Sequence, residues 1–209
     1  MRVLVLGATG DVGRLVAAEA LKRDHELTVL IRSPQKLGEL VARVRVVQGD
    51  ALDPNAVSTA IAGQDAVIYV LGAGNVRQTT LFSESTRILL AEMERHAVHR
   101  LICVTGVGAG DTKGHGGFLY DHIFYPLFTQ GIYADKDKQE DLIRHSRTDW
   151  TIVRPATFRT RKPPGPLRAV TRVDGVVLRR ISRLEVATFL VDELEQNDYV
   201  RQAVFVGHE

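Results

Sequence analysis

Three glycines spaced three apart, Gly7, Gly10 and Gly13, follow the apolar run Val3-Leu4-Val5-Leu6 and precede Arg14 to Lys22, which reads as a helix. Glycines in that place serve a phosphate. Gly7 permits a tight turn, Gly10 lets backbone approach a pyrophosphate, and Gly13 lets helix and strand pack closely. The helix start then points backbone N–H groups and the positive end of its dipole at the anion. A glycine triplet alone is weak evidence; the strand before it and the helix after it make it a dinucleotide elbow.

Residues further along bear on which dinucleotide the elbow holds. A chain that selects NAD places an acid at the end of its second strand, on the ribose 2′-hydroxyl. Here that segment ends Leu30-Ile31-Arg32-Ser33, with no acid. Arg32 offers a planar fork to a 2′-phosphate, and Lys36 adds a second positive charge one helical turn on. A charge-assisted bond of roughly 1.5–3 kcal/mol gives about a ten- to hundredfold preference for NADP(H) over NAD(H). Asp50, in Gln48-Gly49-Asp50-Ala51, is placed at the adenine edge, and Leu71-Gly72-Ala73 lets backbone pass close to the cofactor.

These residues need strands to carry them, and the chain supplies strand and helix in alternation. Beyond the first pair, strands are expected at Leu27–Ile31, Val44–Gln48, Ala66–Leu71, Leu101–Val104, Trp150–Val153 and Ala203–Val206. Helices are expected at Pro54–Ile61, Ser83–His96, Lys136–His145 and Leu184–Glu195, with Asp53 and Ser182 as caps. Leu167–Thr171 and Val176–Leu178 flank Asp174-Gly175, a hairpin signal. The fold expected is α/β: one Rossmann-type, doubly wound parallel sheet spanning residues 1–209, with a small C-terminal substrate-side extension. Two loops break the alternation, Gly106–Gly117 and Arg159–Pro166. Both follow the carboxyl ends of strands, where open α/β sheets bind ligands, so substrate-side elements are expected near 106–133 and 156–182.

Composition excludes several classes of function. With 209 residues, 44% hydrophobic and 25% charged, the chain reads as an ordinary soluble globular protein. No signal peptide is expected, because a core strand follows Met1 at once. The longest uncharged stretch, His122 to Ala134, is too short and mixed to span a bilayer. Cys103, the single cysteine, lies in Leu101-Ile102-Cys103-Val104 and is expected to be a buried strand residue in a reducing cytoplasm. His25, His96, His99, His115, His122, His145 and His208 show no metal-ligand spacing. A net charge of +2 conceals eleven basic residues between Arg144 and Arg183, set against only Asp149 and Asp174. No nucleic-acid module or interleaved aromatic accompanies them, so they read as solvated charge or as attraction for an anionic small molecule.

Gly7-Ala8-Thr9-Gly10-Asp11-Val12-Gly13 resembles the Gly-Ala-Thr-Gly-x-x-Gly motif of the atypical short-chain dehydrogenase/reductases, within the NAD(P)H-binding, NmrA-like group. Val29 to Arg32, Gly49-Asp50, Gly63 to Ile68 and Leu71-Gly72 are similar to its biliverdin reductase B, or NADPH-dependent flavin reductase, branch. Ser83-Glu84 with Arg87, and Asp149 to Pro155, are similar to the wider group. The likeness spans nearly the whole chain and is sharpest through residue 105. It implies Thr9, Gly10, Asp11 and Val12 on the pyrophosphate and Arg32 on the 2′-phosphate. It implies Asp50 and Ala51 at the adenine, and Leu71, Gly72 and Ala73 on the ribose side. Thr105 would stand near the nicotinamide, with Pro155, Ala156, Thr157 and Phe158 along it.

Ordinary short-chain dehydrogenases pass a proton through Tyr-x-x-x-Lys. Lys136 takes the lysine place, which leaves Ile132 in the tyrosine's, and Tyr133 stands three residues before Lys136. Positions three apart share a helix face, so Tyr133 reads either as a rotated proton donor or as a core or pocket-lining aromatic. Reducing a ketone demands a positioned acid, whereas a flavin or tetrapyrrole delocalises the incoming charge and can take its proton from solvent. The expected activity is therefore NADPH-dependent hydride transfer to a conjugated aromatic acceptor, a flavin or biliverdin-like tetrapyrrole. The acceptor would stack among Thr105, the Gly106–Gly117 loop, Phe118, Tyr120, Tyr133 and Phe158, with Lys136 on the ribose or an anionic substrate group. Two alternatives stay open: a carbonyl reductase or epimerase using Tyr133 and Lys136, and a non-catalytic NADP-sensing regulator or assembly factor. The partners expected are small molecules rather than nucleic acid or membrane, and the chain is expected to be a monomer or weak dimer.

Overall fold

Alternating side chains decide the layers. Along β1 (Arg2–Leu6), Val3 and Val5 point to one face of the sheet, while Leu4 and Leu6 point to the other; all four are fully buried. A strand buried on both faces belongs at the centre of a covered sheet. The computed structural model describes residues 1–74, 76, 78–112, 130–163, 165–173 and 175–209. The side chains of residues 111 and 130 are not among those described.

The strands are β1, β2 (Glu26–Ile31), β3 (Arg45–Gln48), β4 (Ala66–Tyr69), β5 (Arg100–Val104), β6 (Asp149–Pro155), β7 (Thr157–Arg159), β8 (Arg168–Val170), β9 (Arg180–Ser182) and β10 (Gln202–Gly207). Eight of them form one sheet in the order β3-β2-β1-β4-β5-β6-β10-β8. Every pairing in it is parallel except β10 with β8. Leu6 stands opposite Leu30 on one side and Tyr69 on the other, so the strand order reverses at β1 and β4. That reversal opens the crevice in which such sheets bind ligands.

The helices are α1 (Asp11–Lys22), α2 (Pro54–Ile61), α3 (Leu81–Arg95), α4 (Gln130–Arg144) and α5 (Arg183–Gln196). α1 and α5 cover the Val3 face, burying Val16, Ala20, Leu190 and Val191 with it. α2, α3 and α4 cover the Leu4 face, with Val57, Leu89, Met93 and Ile143 in that cluster. Asp53 caps α2 by accepting from Asn55 N at 2.9 Å, and Ser182 with Glu185 forms a reciprocal capping box at α5. Cys103 is fully buried in β5, and burial pushes its thiol well above the ordinary range, as an unreactive core cysteine should be. No helix among the described residues is long and apolar enough to cross a membrane.

The doubly wound sheet is as the sequence implies, and several details differ. α1 starts at Asp11, which places Asp11, Val12 and Gly13 in the first helical turn. α4 begins at Gln130, six residues before the expected Lys136. Pro34–Arg43, for which no element was expected, forms 3₁₀ turns broken at Gly38. Among the described residues the two expected arms of the hairpin do not pair with each other. The chain does turn at Gly175, with Val176 N bonded to Val173 O at 3.0 Å. The first arm, however, finds the free edge of β10 and pairs there as β8. The second arm, through residue 179, joins no strand; the chain beyond it becomes β9 and pairs with β7.

Candidate functional site

Gly7 leaves β1 with φ +94°, a left-handed conformation that favours glycine. A Cβ there would lie 2.5 Å from Val70 O, just beyond β4. A Cβ on Gly13 would run into the Gly7 carbonyl and would lie 2.9 Å from Ala8 Cα. The elbow therefore closes only with glycine at both positions. Gly10 is the N-cap of α1 and has no side chain to occupy the first-turn amides. At the other starts, Asp53 caps α2, Ser182 caps α5, and Asp135 accepts from Phe82 N at 2.8 Å at the start of α3. Among these, α1 alone keeps its amides open to an outside anion.

Arg14, just past the last elbow glycine, holds the elbow in place. Its Nε donates to Thr9 O at 3.2 Å, and its Nη2 donates to Lys36 O. One guanidinium thus ties the elbow to the segment after β2 that carries Lys36. Arg32 is highly exposed, with its Nη1 3.9 Å from Asp50 Oδ2. A loose, solvated pair of that kind contributes at most about 1 kcal/mol, so Arg32 can exchange it for a phosphate at little cost.

A cleft of about 650 Å³ joins these residues. Its walls include Gly7, Thr9, Gly10, Asp11, Val12, Arg32, Lys36, Asp50, Ala51, Leu71 and Gly72 at one end, and Thr105, Lys136 and Phe158 at the other. That volume lies in the range of cofactor sites, roughly 300–1,000 Å³. A wider groove of about 1,100 Å³ between α3 and α4 touches neither the elbow nor Lys136. The chemistry points to the smaller cleft.

At its far end the cleft rests on buried charge. Lys136 Nζ donates to the Thr105 carbonyl. The Thr105 hydroxyl donates to Glu140 Oε1 at 2.7 Å, and Arg154 grips the same carboxylate through Nε at 2.9 Å and Nη2 at 2.5 Å. Glu140 and Arg154 are each 2% exposed, so this is a desolvated pair, satisfied on both sides. Loss of water around the half-buried Lys136 pulls its ammonium down to about 8, against the pull of the Glu140 carboxylate.

A family model described as NAD(P)H-binding matches residues 7–197 of this chain. The chain belongs to the NAD(P)H-binding family. It is 26% identical over 218 residues to the uncharacterized protein YwnB of Bacillus subtilis, covering 100% of this chain and 99% of that one. Among solved structures, ChuY, an anaerobillin reductase from Escherichia coli O157:H7, superposes with a TM-score of 0.83 at 20% identity, covering 100% of this chain and 97% of that one. A short-chain dehydrogenase/reductase from Veillonella parvula in complex with NADP superposes with a TM-score of 0.84 at 17% identity, over 99% of this chain and 94% of that one. At such identities the superpositions speak for the fold.

Most residues expected at the site of this family member meet in the cleft, and several do not. Gly13 lies beneath the elbow, and Ala73 packs against the apolar cluster of the α2–α4 face. Pro155, Ala156 and Thr157 are absent from the cleft wall; Pro155 O accepts from Val107 N at 3.1 Å, and Ala156 N bonds Val206 O at 2.9 Å. Of that segment only Phe158 reaches the cleft. Tyr133 is half-buried and stands behind Gly106, its hydroxyl 3.0 Å from where a Gly106 Cβ would sit. Its ring centroid is 5.7 Å from Lys136 Nζ, and it does not line the cleft. The described part of the Gly106–Gly117 loop folds onto α4 rather than over the cleft, with Gly110 N bonded to Asp137 Oδ1 at 2.9 Å. Residues 113–117, Phe118 and Tyr120 lie outside the described residues.

Sequence reasoning missed Arg14, Glu140 and Arg183. A signal existed for Glu140: it follows Lys136 by four residues and so shares its helix face. Nothing in the sequence alone joined it to Arg154 across the sheet.

Proposed function

We propose that this chain is an NADPH-dependent oxidoreductase that reduces a conjugated aromatic acceptor, a flavin or a biliverdin-like tetrapyrrole. The observation that carries this reading is the cleft itself: an uncapped glycine elbow, two exposed cations beside it, and Lys136 with Thr105 at the far end. The bound nicotinamide supplies a hydride, and the acceptor takes its balancing proton from solvent.

The chain's own residues bind and orient. The α1 amides and Arg14 hold the elbow against a pyrophosphate, and Arg32 with Lys36 meets a 2′-phosphate, which favours NADPH over NADH. Lys136 presents its ammonium to ribose hydroxyls or to an acceptor anion, and Phe158 offers a ring face for stacking. Thr105 has its hydroxyl proton committed to Glu140, so toward a ligand it offers lone pairs only. Tyr133, set behind Gly106, is poorly placed to protonate an alkoxide, which favours an acceptor that delocalises charge over a ketone.

The test is loss of NADPH absorbance on mixing the protein with FMN, FAD, riboflavin or biliverdin. Turnover with one of these and retention of it in Tyr133→Phe support the reading. No oxidation of NADPH with any of the four overturns it, and a large fall in Tyr133→Phe supports the carbonyl-reductase alternative. We place the protein in the cytoplasm as a monomer or weak dimer.

A further inference from the structure

Arg183 is the first residue of α5, and it does not serve the cap of its own helix; Ser182 and Glu185 do that. Its side chain turns into the cleft instead. There its Cζ lies 5.1 Å from the Phe158 ring centroid, and its Nε lies 3.3 Å from Asp11 Oδ2. Phe158, Asp11 and Arg183 all line the same wall, and Asp11 belongs to the first turn of the elbow helix. The ring holds the guanidinium by cation–π attraction without supplying a competing acid. Asp11 is a weak partner, with its side chain 79% exposed and that of Arg183 39% exposed. A phosphate offers a guanidinium two parallel bonds and more charge than one solvated carboxylate oxygen.

We propose that Arg183 is an anion clasp for the cleft, resting on the reading that the elbow holds a dinucleotide. It exchanges Asp11 for the phosphate or carboxylate oxygens of a ligand laid beside the elbow, and Phe158 keeps its plane aimed during the exchange. Two sources present that chemistry: the pyrophosphate of the dinucleotide, and an acidic group on the acceptor. The clasp also removes a repulsion, because Asp11 sits next to the place a pyrophosphate takes. The Asp11 carboxylate is therefore a competitor of the ligand, while its backbone N–H remains among the α1 amides.

Calorimetric titration with NADP⁺, and fluorescence titration with FMN and riboflavin in the presence of NADP⁺, test this on the wild type, Arg183→Ala, Arg183→Lys and Asp11→Asn. If the pyrophosphate is the source, Arg183→Ala weakens NADP⁺ by about tenfold, Arg183→Lys by less, and Asp11→Asn binds as tightly as wild type or more so. If the acceptor is the source, NADP⁺ affinity holds while the preference for FMN over riboflavin disappears in Arg183→Ala. A contact that merely holds α1 against α5 would weaken NADP⁺ equally in Arg183→Ala and Asp11→Asn and lower both melting temperatures, which overturns the clasp. Unchanged binding of all three ligands in Arg183→Ala overturns it as well and leaves the reductase reading standing. Failure of the wild type to bind NADP⁺ removes both.

Discussion

Thr105, just past the end of β5, and Glu140, in the last third of α4, meet through a 2.7 Å hydrogen bond beneath the cleft. The carboxylate is 2% exposed and also carries both bonds from Arg154. Removing one member of a buried pair strands the other's charge, which costs about 3–5 kcal/mol. Glu140→Ala is expected to lose that much stability in urea unfolding. Thr105→Val leaves the ion pair intact and removes one bond to the carboxylate, so it should lose less, about 1.5–3 kcal/mol. A Glu140→Ala protein as stable as wild type contradicts the desolvated arrangement.

Lys136 gives up its proton near pH 8 in the folded chain, because burial disfavours its ammonium. An unfolded lysine holds its proton to about 10.4, so the unfolded chain binds more protons between these values. Stability contributed by this group therefore rises with pH from about 8 to about 10.4, and Lys136→Met should flatten that slope. Under the proposed reading NADPH meets the charged form, so affinity is expected to move the opposite way. Binding should weaken as pH rises through 8 in wild type and lose that dependence in Lys136→Met, read by NADPH fluorescence titration.

Gly7→Ala and Gly13→Ala each push a Cβ into backbone, at Val70 and at Gly7 respectively. Gly7 adds the strain of φ +94° on an L residue, on the order of 1–3 kcal/mol before any clash. Both variants are expected to lose nucleotide binding along with stability, read by calorimetry and circular dichroism. Wild-type affinity in either variant would mean the elbow is not where a nucleotide binds.

Arg14 spans Thr9 O and Lys36 O with one side chain. Arg14→Ala is expected to weaken NADP⁺ more than NAD⁺, because it frees the segment bearing Lys36 as well as the elbow. Equal losses for both nucleotides would assign Arg14 to the elbow alone.

Local signals carried the sheet and the elbow. Val3 to Leu6 reads as a strand buried on both faces, and the Gly7–Gly13 turn needs no distant residue to explain it. The cap residues Asp53 and Ser182 were legible for the same reason. Tertiary competition decided the rest. Among the described residues the arms flanking Asp174-Gly175 do not pair with each other, because the edge of β10 was a better partner for Arg168–Val170 than the chain just beyond the turn. The family likeness sets Pro155 to Thr157 along the nicotinamide, yet β6 runs on to Pro155 and of that segment only Phe158 lines the cleft. The basic stretch from Arg144 to Arg183 read as solvated charge or as attraction for an anionic small molecule, and Arg147 and Lys162 are indeed highly exposed. In the fold Arg154 is buried on Glu140, Arg147 pairs with Glu94, Lys162 with Glu185 and Arg168 with Glu209, each acid lying outside or on another element. Pairings between residues far apart in sequence are the part that no local pattern encodes.

Calorimetric titration of the purified chain with NADP⁺ and NAD⁺ tests the elbow and its two cations most directly. The expected result is saturable binding, tighter for NADP⁺ by about ten- to hundredfold, with that preference lost in Arg32→Ala. Absence of measurable heat and of affinity for either nucleotide contradicts it.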